Sequence, residues 1–132
     1  MKRLVLITTV ILTLFIILIV LNDKYNKDVE YEKNISVEEL EKGLLEKEDY
    51  FVYFYQTDCI YCKETSPIII PMAKEMKLDL KEVNLQDEIS GWKKFNVEGT
   101  PTIIRFKDGV EVDRIHGLQS EDIFKKWFED NK

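Results

Sequence analysis

The chain has two cysteines, Cys59 and Cys62, in the segment CIYC. Paired thiols at this spacing can bind a metal ion, close a structural disulfide or exchange disulfides with another molecule. Zinc needs four ligands in a structural site, or three plus water in a catalytic one. Beyond the two cysteines the only soft ligand is His116, and no second cysteine pair is present, which disfavours a zinc site. A purely structural disulfide is disfavoured too, because cross-linking so short a loop adds little stability. Redox chemistry is therefore the preferred interpretation.

The surroundings of the pair support this interpretation. An apolar, aromatic run at residues 50–55 predicts a buried strand before the cysteines, and residues 63–77 have a helical pattern after them. Unpaired N–H groups and the dipole at a helix start stabilise an anion and lower the pKa of a thiol. Cys59 lies at the end of the predicted strand and opens the helix, so it is the predicted nucleophile, partly exposed. Cys62, more buried, would resolve the mixed disulfide.

The remaining pattern predicts an α/β fold with a central mixed sheet. Ser36 and Glu39 form a Ser-x-x-Glu capping box, KDG at residues 107–109 predicts a hairpin turn, and Pro67 should kink its helix without ending it. Helices and strands alternate and then end in a hairpin and a helix, which implies helices on both sheet faces. The predicted elements are 36–48, 50–55, 63–77, 80–85, 88–95, 102–106, 110–116 and 120–130.

Composition limits the partners. The 132 residues suffice for one soluble domain, and acidic residues outnumber basic ones by 25 to 19, giving a net charge of −6. No basic stripe is present, so a nucleic-acid partner is not expected. No cofactor or metal is expected either, and the domain is predicted to be a monomer.

The N-terminal segment differs from the rest. Residues 4–21 carry no charge, and as a helix they reach about 27 Å, close to the thickness of a hydrocarbon core of about 30 Å. The alternative is a cleaved signal peptide, whose apolar region is usually shorter and ends in small residues. Lys2 and Arg3 precede the run, which favours a cytoplasmic N-terminus. The predicted organisation is a cytoplasmic start and transmembrane signal anchor at 1–21, a polar tether at 22–34, and an extracytoplasmic domain at 35–132.

Residues 35–132 resemble the thioredoxin family. CIYC matches the Cys-x-x-Cys motif of that family, and Pro67 matches the proline of its active-site helix. GTPT at residues 99–102 matches the loop whose proline is cis and faces the cysteines. FKDG matches the hairpin that follows, and Gly117 matches the glycine after the last strand.

This resemblance implies a thioredoxin fold and a thiol–disulfide oxidoreductase with Cys59 and Cys62 as its redox couple. It also implies a cis peptide bond at Pro101. The backbone of Thr100 would then bind an extended substrate chain as a short β-strand.

Four residues depart from the family pattern. Ile60 and Tyr61 stand between the cysteines, where thioredoxin has Gly-Pro, and such residues modulate redox potential within the family. Asp58 replaces a tryptophan, and its charge opposes the Cys59 thiolate. Tyr53 replaces a buried aspartate. These changes argue against a cytosolic-type reductase with its usual partner reductase. The Asp58 charge favours a reductase or isomerase over a strongly oxidising site.

Two further residues are candidate modulators. Glu82 aligns with a lysine of thioredoxin beside that aspartate, so it is a candidate proton acceptor for Cys62; the alternative is a solvent-facing strand glutamate. His116 precedes Gly117 at the end of a strand. It could contact substrate or tune Cys59, and the alternative is a partly buried histidine at a sheet edge.

The resulting hypothesis is a membrane-anchored enzyme that acts on thiols or disulfides of exported proteins and exchanges electrons with a membrane or extracytoplasmic redox partner. The alternative is a non-enzymatic accessory protein of an export or assembly system that uses the same fold for binding.

Overall fold

In the computed structural model, the chain folds around a four-stranded sheet. The first strand of the sequence lies inside this sheet. The structure describes residues 1–25 and 31–132, and within them all side chains except those of residue 4 and residues 22–25. The elements are α1 (Lys2–Tyr25), α2 (Val37–Leu45), β1 (Tyr50–Tyr55), α3 (Ile60–Glu75), β2 (Leu80–Asn84), α4 (Ile89–Lys94), β3 (Thr102–Lys107), β4 (Val110–His116) and α5 (Glu121–Asn131). The strand order is β2-β1-β3-β4.

The sheet is mixed, as the sequence predicts. Strands β1 and β2 are parallel, which requires the crossover that α3 supplies, whereas β3 runs antiparallel to both β1 and β4. All six residues of β1 are buried. A central strand covered on both faces needs apolar side chains at every position, which explains the continuous run YFVYFY.

Alternate residues of β1 face two separate hydrophobic clusters. Phe51, Tyr53 and Tyr55 pack with side chains of α3 and α5, including Ile69, Met72, Phe124 and Phe128. Tyr50, Val52 and Phe54 pack on the other side with α2 and the segments after β2, including Val37, Leu40, Leu85 and Trp92. The predicted helices on both faces are therefore confirmed.

The predicted start of α2 and the predicted continuation of α3 are confirmed as well. The Glu39 N–H donates to Ser36 Oγ at 3.1 Å, and the Ser36 N–H donates to Glu39 Oε2 at 2.8 Å, which completes the capping box. Helix α3 contains Pro67 and Pro71 and continues to Glu75. It begins at Ile60, three residues before the predicted start, because Cys59 caps it.

The N-terminal part of the chain begins with α1. Among the described residues, no helix combines the length and the apolar character needed to cross a membrane. Residues 22–25 of the predicted tether belong to α1, and residues 26–30 lie outside the described residues. Beyond them, the backbone of residues 33–35 pairs with Glu82 of β2, so this end of the predicted tether lies along the sheet edge.

The predicted hairpin turn joins β3 to β4. Asp108 and Gly109 both have positive φ, 52° and 77°, as expected in a two-residue type I′ turn. An ideal Cβ on Gly109 would lie 2.1 Å from the Leu44 carbonyl oxygen of α2. The turn thus packs against the backbone of α2, and only glycine fits there.

Replacing Gly109 by alanine is expected to lower the free energy of unfolding by more than about 2 kcal/mol, since backbone strain and a backbone clash add. Gly117 is a matched control: its φ is 76°, but the nearest atom to its Cβ would be Gln119 Nε2 at 4.0 Å. Gly117→Ala should cost about 1 kcal/mol. Urea unfolding measures both, and equal losses would contradict the packing argument.

Candidate functional site

The two cysteines lie where β1 passes into α3. Cys59 is the N-cap of α3 and Cys62 belongs to its first turn. They form a disulfide with Cα atoms 5.2 Å apart. The Cys62 N–H donates to Cys59 Sγ at 3.1 Å. Cys59 is partly exposed, whereas only 1% of Cys62 is exposed.

This geometry decides what each sulfur can do. After reduction, the Cys59 sulfur is held against an unpaired N–H at the positive end of a helix, which favours its thiolate form. Its exposure lets a substrate sulfur approach. Cys62 is shielded from solvent but lies within bonding reach of Cys59, which suits intramolecular attack on a mixed disulfide.

The loop before β3 faces the cysteines. The Thr100–Pro101 peptide bond is cis, as the resemblance implies. The Thr100 carbonyl oxygen lies 3.5 Å from Cys59 Sγ. The Thr100 hydroxyl donates to Gln56 Oε1 at 3.1 Å, and the Gly117 N–H donates to the Pro101 carbonyl at 2.8 Å. The structure therefore brings Thr100 and Pro101 together with Cys59, and Gln56 is a supporting residue that the sequence analysis missed.

The residues around Cys59 form a surface of mixed character. The side chains of Ile60 and Tyr61 are 66% and 57% exposed. Asp58 is exposed on the other side of Cys59, and its Oδ2 accepts a hydrogen bond from Gln86 Nε2 at 3.1 Å. Apolar surface and a negative charge thus flank the exposed sulfur.

A buried hydroxyl network lies beneath Cys62. Ser66 Oγ donates to the Cys62 carbonyl oxygen at 2.8 Å, and Tyr53 Oη lies 2.9 Å from Ser66 Oγ. Tyr31 Oη reaches the same Ser66 oxygen at 3.1 Å. Burial raises the pKa of Tyr53 above its ordinary value, so its hydroxyl stays protonated. The sequence analysis missed Ser66 and Tyr31, since a lone serine and a tyrosine in a polar segment carry no recognisable pattern.

Glu82 is buried rather than solvent-facing. Only 2% of it is exposed, and it pairs with Tyr53 across the parallel strands, on the sheet face that α3 covers. Its Oε2 accepts the Lys33 N–H at 2.6 Å. Burial is the main cause that raises the pKa of Glu82 above its ordinary value. Among the described residues, no hydrogen bond joins Glu82 to either cysteine.

His116 is exposed and lies at the end of β4. Its Nδ1 is 2.7 Å from Thr102 Oγ1, and the Thr102 hydroxyl donates its proton to the Gly99 carbonyl at 2.7 Å. The imidazole must therefore donate through Nδ1–H. His116 contacts the base of the Pro101 loop in this way, and no described hydrogen bond joins it to Cys59.

Across residues 1–25 and 31–132, no group of three or more His, Cys, Asp or Glu side chains is placed to hold a metal ion.

Comparisons with known proteins agree with this geometry. A family model described as Thioredoxin matches residues 20–130. The thioredoxin of Chlamydia caviae is 36% identical over 70 residues, which cover 52% of this chain and 69% of that protein. The thioredoxin of Staphylococcus haemolyticus is 34% identical over 73 residues, covering 54% and 70%.

Solved structures match over a longer stretch. Fasciola hepatica thioredoxin has a TM-score of 0.65 at 27% identity, and the match covers 74% of this chain and 95% of the thioredoxin chain. A thioredoxin from Nicotiana alata has a TM-score of 0.65 over 81% of this chain and 99% of its own, and at 21% identity it supports the fold alone. The match to the family model, the similarity to these relatives and the disulfide between Cys59 and Cys62 together show that the chain belongs to the thioredoxin family.

Proposed function

We propose that this thiol–disulfide oxidoreductase acts on exported proteins, in the reducing or isomerising direction. The observation that carries the exchange chemistry is the Cys59 sulfur, held by the Cys62 N–H at a helix N-terminus beside the Thr100 carbonyl. Substrate would lie along the Thr100–Pro101 loop, pair with its backbone and present a sulfur to Cys59.

In the reducing direction, the Cys59 thiolate attacks one sulfur of a substrate disulfide. A Cys59–substrate disulfide forms, the substrate bond breaks, and the second substrate sulfur leaves as a thiolate that takes up a proton. The Cys62 thiolate then attacks Cys59 Sγ, which forms the Cys59–Cys62 disulfide and releases the first substrate sulfur. Two electrons pass to substrate, and a dithiol of a membrane or extracytoplasmic redox partner restores the reduced couple.

The favoured direction rests on Asp58. A carboxylate next to Cys59 opposes the thiolate, and a less stabilised thiolate makes the reduced form a better electron donor. Gln86 donates to this carboxylate and fixes its position beside the site without removing its charge. The balance favours a reductase or isomerase over a strong oxidant.

By the same proposal, α1 holds the domain, as a monomer, at the extracytoplasmic face of the cell membrane. Support comes from the charge-free run at residues 4–21, which follows Lys2 and Arg3. The large apolar side chains from Val5 to Leu21 are each more than half exposed, and they belong to neither hydrophobic cluster of the domain. Exposed apolar surface of this extent gains free energy in a membrane.

A Cys62→Ser variant is expected to accumulate mixed disulfides with exported proteins, because Cys59 can still attack but nothing resolves the product. Non-reducing electrophoresis of cells that express the variant measures the adducts. Cys59→Ser and the double-serine variant are the controls and should form none. Absence of adducts, together with wild-type biology in the double-serine variant, would instead favour the accessory-protein alternative.

Protease added to intact protoplasts is expected to remove the domain, since the charges at Lys2 and Arg3 keep the N-terminus in the cytoplasm. Immunodetection of residues 35–132 before and after digestion measures the loss, with a cytoplasmic protein as the control for intact membranes. Protection of the domain until detergent is added would contradict this orientation.

Glu82 is proposed to accept the Cys62 proton during resolution, directly or through one water. Tyr53 Oη lies 3.4 Å from the Cys62 carbonyl and its strand position is opposite Glu82. A buried carboxyl with a raised pKa binds a proton more readily than an exposed one. As the pH falls through this raised pKa, the carboxylate becomes protonated and can no longer accept, so resolution should slow on the acid side.

A Glu82→Gln variant should therefore resolve mixed disulfides more slowly and lose that acid-side dependence. Glutamine keeps an oxygen for the Lys33 N–H, so the local structure is retained. Stopped-flow measurement of the resolution step between about pH 5 and pH 8 tests this, with Cys59 alkylation as the control that should not change. A profile identical to that of the wild type would exclude Glu82 as the base.

A further inference from the structure

Residues 31–35 connect the edge of β2 with the active-site helix. The Ile35 N–H donates to the Glu82 carbonyl at 2.9 Å, and the Glu82 N–H donates to the Lys33 carbonyl at 3.0 Å. The buried Glu82 side chain adds a third contact, in which its Oε2 accepts the Lys33 N–H at 2.6 Å. A charge-assisted hydrogen bond to a buried carboxylate is stronger than a neutral one. Residues 33–35 are thereby fixed along the edge of β2.

Tyr31 extends from this fixed segment over the sheet. Its ring stacks on Tyr55 with centroids 4.2 Å apart and planes 2° apart. Tyr31 is partly buried and packs against the cluster that contains Tyr53, Tyr55 and Cys62. The stack sets the direction of the Tyr31 hydroxyl, which reaches Ser66 Oγ at 3.1 Å.

The protons of the network can be assigned. Ser66 is fully buried and donates its one hydroxyl proton to the Cys62 carbonyl. Its oxygen can then only accept, so Tyr31 and Tyr53 are both donors to it. The three hydroxyl dipoles point toward the turn of α3 that carries Cys62, and hydrogen bonds aligned in this way reinforce one another.

We propose that Tyr31 is a positioning residue for Cys62. Acting through Ser66, its hydroxyl holds the first turn of α3 in the geometry from which the Cys62 thiolate attacks Cys59 Sγ of a mixed disulfide. In that step the Cys59–substrate bond breaks, the Cys59–Cys62 bond forms, and the substrate sulfur leaves as a thiolate that takes a proton from water. The proposal rests on the exchange chemistry of the proposed function, but not on its substrate or direction.

The role is specific to resolution. Cys59 is held by the Cys62 N–H and lies beside Thr100, and neither contact involves Tyr31. Loss of one buried hydrogen bond in the network is expected to slow resolution by about 3- to 10-fold. Attack by Cys59 should remain unchanged.

The test mixes the reduced full-length protein with oxidised glutathione, which removes any dependence on exported substrates. Cys59 forms a mixed disulfide with one glutathione and releases the other, and Cys62 then releases the bound one. Tyr31→Phe keeps the ring stack and removes only the hydroxyl. Tyr50→Phe is the matched control, because it also removes one tyrosine hydroxyl. Tyr50 belongs to the cluster on the opposite face of the sheet, away from the hydroxyl network. Release of the glutathione bound to Cys59 measures the rate of resolution. The alkylation rate of reduced Cys59 measures the reactivity of the nucleophile.

Tyr31→Phe and Ser66→Ala should each slow glutathione release, and the double variant should be no slower than the slower single variant, since both act through one network. Tyr50→Phe should resemble the wild type. Wild-type release in Tyr31→Phe, multiplied effects in the double variant, or equally slowed Cys59 alkylation would overturn the proposal. A Tyr31→Phe protein that fails to fold would overturn it too, since the role would then be structural. Loss of Cys59 alkylation in the wild type would instead refute the proposed function.

Discussion

Burial of β1 on both faces is the constraint on which the rest of the structure depends. Each of its six residues is buried, and β2 and β3 occupy both of its hydrogen-bonding edges. Helices must cover both faces, and the chain can leave this strand only at its ends. The cysteines lie just beyond its C-terminal end, where α3 starts, so the strand that is held most tightly also positions the reactive sulfur. Precise placement of a nucleophile is easiest on such a rigid element.

The buried carboxylate nearest the couple along the sheet lies on β2 and not on β1. Tyr53 occupies the β1 position where thioredoxin has a buried aspartate, and the buried carboxylate is Glu82 on the neighbouring strand. A phenol loses less solvation free energy on burial than a carboxylate does. The region directly beneath Cys62 is therefore hydrogen-bonded through hydroxyls, while the carboxylate lies at the β2 edge, where the Lys33 N–H compensates its burial.

The sequence predicts the elements whose signals are local. The bounds of β1 and β4 agree with the predicted 50–55 and 110–116, because side-chain pattern and turn chemistry mark their ends. Capping at Ser36 and the position of Cys59 at a helix start are predictable for the same reason, because signals in the local sequence mark them. Pairing of residues 33–35 with β2 was not predictable in this way, since it uses backbone groups that every residue carries. Tyr31 and Ser66 become neighbours only through that pairing.

An uncovered β2 edge would expose unpaired N–H and C=O groups to other chains, which is a hazard for any edge strand. Residues 33–35 cover part of that edge, and the buried Glu82 carboxylate strengthens the contact beyond what backbone pairing alone supplies. Because Tyr31 lies two residues before this segment, the contact that protects the edge also brings a hydroxyl donor to Ser66 and thus to the turn of Cys62. Edge protection and the geometry of the resolving cysteine are therefore one structural feature.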